Sequence, residues 1–128
     1  MAEITPIQGE VQTQVMYALW RVEAGTVEQV RSALPPRYRG AYNTVQTILN
    51  RLSDRGLVSR RKVGTAIEYR PRFSEAEYLS KTIAYTLAGA SPDARQAALA
   101  RLFGELDEAE LSDLRRRGRA VSRKRSGS

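Results

Sequence analysis

The sequence predicts a mainly α chain of the α+β class, and three observations predict it. Helix-start boxes recur along the chain, apolar residues return at spacings of three and four, and alternating segments occur only around Gly64-Thr65. The expected order is three helices, a hairpin, then three more helices.

The first box is Thr5-Pro6-Ile7-Gln8, with Pro6 suited to the first helical position. A helix is expected from there to about Val22, with Val11, Val15, Ala18, Leu19 and Val22 inward and Tyr17 and Trp20 at its edges. Gly25 breaks the chain, and Thr26-Val27-Glu28-Gln29 repeats the box for a short second helix that turns Val27, Val30 and Leu34 inward. Pro35-Pro36 ends it, because proline has no amide to continue the ladder.

After a basic loop of Arg37, Tyr38, Arg39 and Gly40, a third helix is expected from Ala41, Tyr42 or Asn43 to about Arg55, capped by Gly56. Val45, Ile48, Leu49 and Leu52 fall on one stripe at about 100° per residue, so that stripe is core. The opposite face presents Asn43, Gln46, Thr47, Asn50, Arg51 and Asp54, with Thr44 at its edge. Residues 58–63 and 66–70 then read as two strands of a hairpin, with Ile67 and Tyr69 inward and Pro71 ending the second.

Ser74-Glu75-Ala76-Glu77 opens a fourth helix to about Gly89, Ser91-Pro92 a fifth to Gly104, and Asp107-Glu108-Ala109-Glu110 a sixth to about Gly118. Their apolar residues are Leu79, Ile83 and Leu87, then Leu99, Leu102, Phe103 and Leu106, then Leu111 and Leu114. Three short helices cannot hide such thin stripes unaided, so pairing with a second copy is expected. Residues 1–72 are thus expected to form one domain and 73–118 a helical dimerisation domain, with 119–128 a basic, disordered tail.

Composition narrows the function. The chain has 128 residues, no cysteine and no histidine, which removes thiolate chemistry, the commonest general base and the usual nitrogen ligand for metals. The acids are scattered, so neither an enzyme nor a cofactor or metal site is expected. No apolar run approaches the length of a membrane span and the N-terminus carries no leader pattern, so a cytoplasmic chain without membrane partners is expected.

The net charge of +7 divides unevenly. Residues 115–128 hold seven basic residues and no acid, which leaves positions 1–114 neutral. Within that neutral part, residues 37–72 hold nine basic residues against Asp54 and Glu68. The positive charge of the folded region therefore sits on the third helix and the hairpin.

Three helices and a basic hairpin in this order make a winged helix-turn-helix, whose third helix enters a major groove. Asn43, Thr44, Gln46, Thr47, Asn50 and Arg51 are the candidate groove residues, and Arg60, Arg61, Lys62 and Thr65 the candidate phosphate contacts of the wing. An ordinary solvated face would explain the helix as well, and a charged edge that blocks strand pairing would explain Arg60, Arg61 and Lys62. Two other functions stay open: an architectural protein that coats DNA without sequence preference, and a winged-helix module that binds other proteins.

The run from Tyr42 through Asn43-Thr44-Val45-Gln46-Thr47-Ile48-Leu49-Asn50-Arg51 to Leu52, then Arg55-Gly56-Leu57-Val58, Arg61-Lys62-Val63-Gly64 and Tyr69, closely resembles the penicillinase-repressor family of BlaI, MecI and CopY type. Gln8-Gly9-Glu10-Val11 and Ala18-Leu19-Trp20 are similar to that family's first helix. The resemblance implies a dimeric bacterial repressor that binds dyad-symmetric operators of antibiotic-response or related stress genes. Two features depart from the family. Members that respond to β-lactams are cut at an Asn-Phe bond, where this chain has Leu102-Phe103, and copper-responsive members carry cysteine pairs, which it lacks. The sequence names no inducer and no regulatory protease.

Overall fold

The computed structural model describes residues 4–126. The chain runs α1 (Glu10–Val22), α2 (Val27–Ala33), a short 3₁₀ turn, α3 (Tyr42–Asp54), β1 (Val58–Val63), β2 (Ala66–Pro71), α4 (Glu75–Ala88), α5 (Pro92–Gly104) and α6 (Glu108–Ser126). This is the expected order in the expected α+β class. No helix among the described residues is long and apolar enough to cross a membrane.

The chain divides into two compact units, Met1–Thr86 and Leu87–Ser128. The first has a continuous core. Val15, Met16, Ala18 and Leu19 of α1, Val27 and Val30 of α2, and Val45, Ile48, Leu49 and Leu52 of α3 are all buried, closed by Leu57, Val58 and Tyr69. The anticipated α3 stripe is thus entirely core. Met16 joins it unforeseen, because neighbours packed on α1 cover a wider face than one narrow stripe.

Local chemistry explains most boundaries. Thr26 and Gln29 form the reciprocal box that starts α2. At the end of α3, Gly56 has φ +80°, its amide donates to Ser53 and the Leu57 amide donates to Leu52, all within backbone reach at 3.0 Å. That double bond pattern with a left-handed glycine is a Schellman motif, and the buried pair Leu52 and Leu57 supplies its apolar contact. It turns the chain from α3 directly into the hairpin. Ser74 with Glu77, Ser91 with Ala94 and Asp107 with Glu110 start α4, α5 and α6 as their boxes suggest.

The start of α1 differs from expectation. Thr5-Gln8 does not open a helix; α1 begins at Glu10 behind Gly9, which has φ +92°. Ile4 is buried in the core, and winding residues 5–9 into helix would withdraw it. Thr5 instead accepts two hydrogen bonds from Arg55 Nη2, and the Ile7 amide donates to the Tyr78 hydroxyl at 2.8 Å.

Tyr78 also stacks at an angle on Trp20, with ring centroids 5.3 Å apart, and Trp20 Nε1 donates to the Phe73 carbonyl at 2.9 Å. The start of α4 is therefore part of the first unit. In the second unit no described residue is buried. The sixth helix does not stop at Gly118 but continues to Ser126, so the stretch from 119 to 126, expected to be disordered, is helical. A single glycine inside a helix costs only about 1 kcal/mol, and Gly118 lacks the positive φ that ends one. Residues 127–128 of the tail lie outside the described residues.

Leu49 has no exposed surface and lies at the centre of the α3 stripe. Leu49→Ala is expected to cost about 2 to 5 kcal/mol of stability, read as a lower urea midpoint.

Candidate nucleic-acid interface

With the apolar stripe of α3 buried, helical geometry leaves the opposite side to solvent. Asn43, Thr44, Thr47 and Arg51 are exposed there, while Gln46 and Asn50 are half-buried. Thr47 Oγ1 donates back to the Asn43 carbonyl at 2.9 Å, which leaves its lone pairs outward. The Arg51 side chain has no hydrogen bond or ion pair within the described residues. Ala41 supplies no side-chain cap, so the amides of Tyr42 and Asn43 have no acceptor among the described residues, while that of Thr44 donates to the Ala41 carbonyl at 3.1 Å. Tyr42, in that first turn, is 47% exposed although it stands at the edge of the buried stripe, one heptad before Leu49.

The hairpin pairs Val58 with Pro71 through Val63 with Ala66, closed by the two-residue turn Gly64-Thr65. Gly64 alone in that turn has positive φ, as a type II′ turn requires. Directly paired residues share a face, so Arg60 and Lys62 lie with Tyr69 and Ile67, whereas Arg61 lies with Glu68. Tyr69 is buried as expected, but Ile67 is 39% exposed and does not turn inward. It is paired near the tip, opposite Lys62, where the hairpin has run past the helical base.

The three wing cations are held differently. Arg60 Nη1 donates to Asn50 Oδ1 at 2.8 Å, so it reaches back to α3. Arg61 Nε lies 3.7 Å from Glu68, which also holds Arg70 at 3.1 Å. These exposed pairs contribute little stability, but they moderate the charge of that face. Lys62 and Thr65 are exposed, and Lys62 engages no ion pair within the described residues.

Tyr69 ties the hairpin to the helices. Its amide and carbonyl exchange hydrogen bonds with Gly25 at 2.8 and 3.0 Å, and its hydroxyl donates to Asn50 Oδ1 at 2.8 Å. Burial raises its phenol above the ordinary value, against the opposing pull of Arg60, so it stays protonated and can donate. Sequence reasoning placed Tyr69 inward but missed its hydroxyl, because the partner lies 19 residues away.

Some basic residues of the patch are structural. Arg39 donates to the carbonyls of Ser32 and Leu34 at the end of α2, and Arg55 holds Thr5. Among the described residues, no group of acidic side chains gathers to hold a metal ion.

The penicillinase repressor family model matches residues 8–119, almost the whole chain. The chain belongs to the penicillinase repressor family. It is 36% identical over 118 residues to the transcriptional regulator BlaI of Mycobacterium tuberculosis, in strains CDC 1551 / Oshkosh and ATCC 25618 / H37Rv. The match spans 91% of this chain and 85% of BlaI. Among solved structures, the DNA-binding domain of the repressor BlaI aligns at a TM-score of 0.50 and 25% identity, over 60% of this chain and 94% of that domain. The expected family and winged-helix fold are therefore found, and the chain is a member of a family of transcriptional regulators rather than of enzymes.

In this family member, Tyr69→Phe removes one of the two donors to Asn50 while Arg60 keeps the other. The expected loss is about 1 kcal/mol in a urea unfolding measurement, without loss of helix signal.

Proposed function

We propose that the chain is a dimeric, sequence-specific transcriptional repressor that reads a dyad-symmetric duplex operator with α3 and clamps the flanking phosphates with the β1–β2 wing. The observation that carries this reading is α3 itself. Its apolar stripe is entirely buried, so its short hydroxyl, amide and guanidinium side chains face outward beside a basic hairpin. Amides and guanidinium groups suit base edges, and an uncapped helix start suits a phosphate.

Asn43, Thr44, Gln46, Thr47 and Arg51 enter the major groove, with Asn50 on the side nearest the wing. Arg60, Arg61, Lys62 and Thr65 contact the neighbouring backbone. Residues 1–72 carry this reading surface, and 73–118 pair two copies so that two α3 helices meet successive grooves. Bound to an operator in the cytoplasm, the dimer excludes the transcription machinery. The likeness to BlaI, named a transcriptional regulator, supports the same reading.

The C-terminal apolar side chains support the pairing. Leu79, Ile83, Leu102, Phe103 and Leu114 are all at least 42% exposed, and Leu87, Leu99, Leu106 and Leu111 are only half-buried. Leaving this much apolar surface in water is unfavourable, and burying it on a second copy removes the cost.

Three measurements test the proposal. DNA fragments retained by the protein from its own genome are expected to share a dyad motif; an unrelated collection would favour a non-specific DNA coat. Arg51→Ala should cost about 1 to 3 kcal/mol on such a site, whereas Lys62→Ala should weaken all sequences alike and lower the salt slope by about one. Ile83→Glu together with Phe103→Glu should shift sedimentation from dimer to monomer and weaken binding to the full dyad far more than to a half-site.

A further inference from the structure

The side-chain oxygen of Asn50 is engaged twice, by Arg60 Nη1 and by the Tyr69 hydroxyl, each at 2.8 Å. A guanidinium only donates, so the atom facing it must be the carbonyl oxygen and not the amide nitrogen. The same atom faces Tyr69, which therefore donates as well. Both lone pairs of that oxygen are thereby used.

Recognition of adenine by asparagine needs the opposite arrangement. The amide oxygen must accept from adenine N6 while the amide nitrogen donates to N7. In this chain the oxygen is already committed to the wing. Of its two partners Arg60 is exposed, whereas Tyr69 is firmly held, because its ring is buried and its backbone is pinned to Gly25 in both directions.

We infer that Asn50 is a positioning residue that locks the wing to α3 and aims Arg60 at a phosphate, and that it does not read an adenine edge. The inference rests on the proposed DNA-binding role and refines it. A neutral acceptor suits the task. An aspartate would neutralise Arg60 and bring a negative charge toward the duplex, whereas the asparagine oxygen fixes the guanidinium and leaves its charge, and its remaining donors, for the backbone.

The test compares the full-length protein with Asn50→Ala, Tyr69→Phe, Arg60→Ala and the double variant N50A/R60A. Each binds a duplex recovered from the genome, a panel carrying every single base-pair change in it, and random duplex, at several salt concentrations. Circular dichroism checks that each variant is folded, and the salt slope does not depend on the active fraction.

Asn50→Ala is expected to weaken every duplex by a similar factor, about three- to tenfold, and to lower the salt slope toward that of Arg60→Ala, although it removes no charge. Arg60→Ala should cost less in the Asn50→Ala background than alone, and Tyr69→Phe should act in the same direction more weakly. Selective loss of preference at one A·T pair on Asn50→Ala, with an unchanged salt slope, would overturn the inference. If the unaltered protein itself shows no preference across the panel, the operator reading fails instead, and the salt slopes still decide whether Asn50 positions Arg60.

Discussion

Burial of one face of α3 is the constraint on which the other features depend. Val45, Ile48, Leu49 and Leu52 occupy successive turns, and each is packed against α1, α2 or the base of the hairpin. Once they are fixed, the rotation of the helix about its axis has no freedom left. The outward set of Asn43, Thr44, Thr47 and Arg51 is then a consequence of the core, as is the direction in which the Schellman turn at Gly56 launches β1.

The hairpin depends on the same core at second hand. Two strands are too few to be stable alone, and this pair is secured where Tyr69 enters the core, exchanges backbone bonds with Gly25 and meets Asn50. Beyond that point toward the tip, Ile67 and Val63 are 39% and 46% exposed, so the wing is anchored at its base and less covered at its end. The second unit has the opposite character. Its helices start from well-formed boxes, yet none of its described residues is buried, which makes it helical structure in search of a partner face.

Much of this was legible in the sequence because the signals were local. The box at Thr26, the glycine cap at Gly56, the α3 stripe and the Gly64-Thr65 turn each involve residues within about one helical turn or one hairpin, where the spacing of residue types is enough. The same kind of signal misled at Thr5, where burial of Ile4 and the bond from Ile7 to Tyr78 outweigh a local box. Gly118 misled for a related reason: a glycine permits an end without imposing one. Of the candidate site, the residue types and their faces were readable. The junction of Asn50, Arg60 and Tyr69 was not, since it joins side chains 10 and 19 residues apart that only the packed hairpin brings together.

The central claim, that α3 and the wing form one surface for duplex DNA, is tested most directly by a nuclear magnetic resonance titration. The isotope-labelled full-length protein would be titrated with a short duplex bearing a recovered site. The account predicts that amide and side-chain signals of residues 42–51 and 60–65 shift together, with the same apparent affinity. Shifts confined to the basic stretch 115–126, with residues 42–51 unmoved, would contradict it.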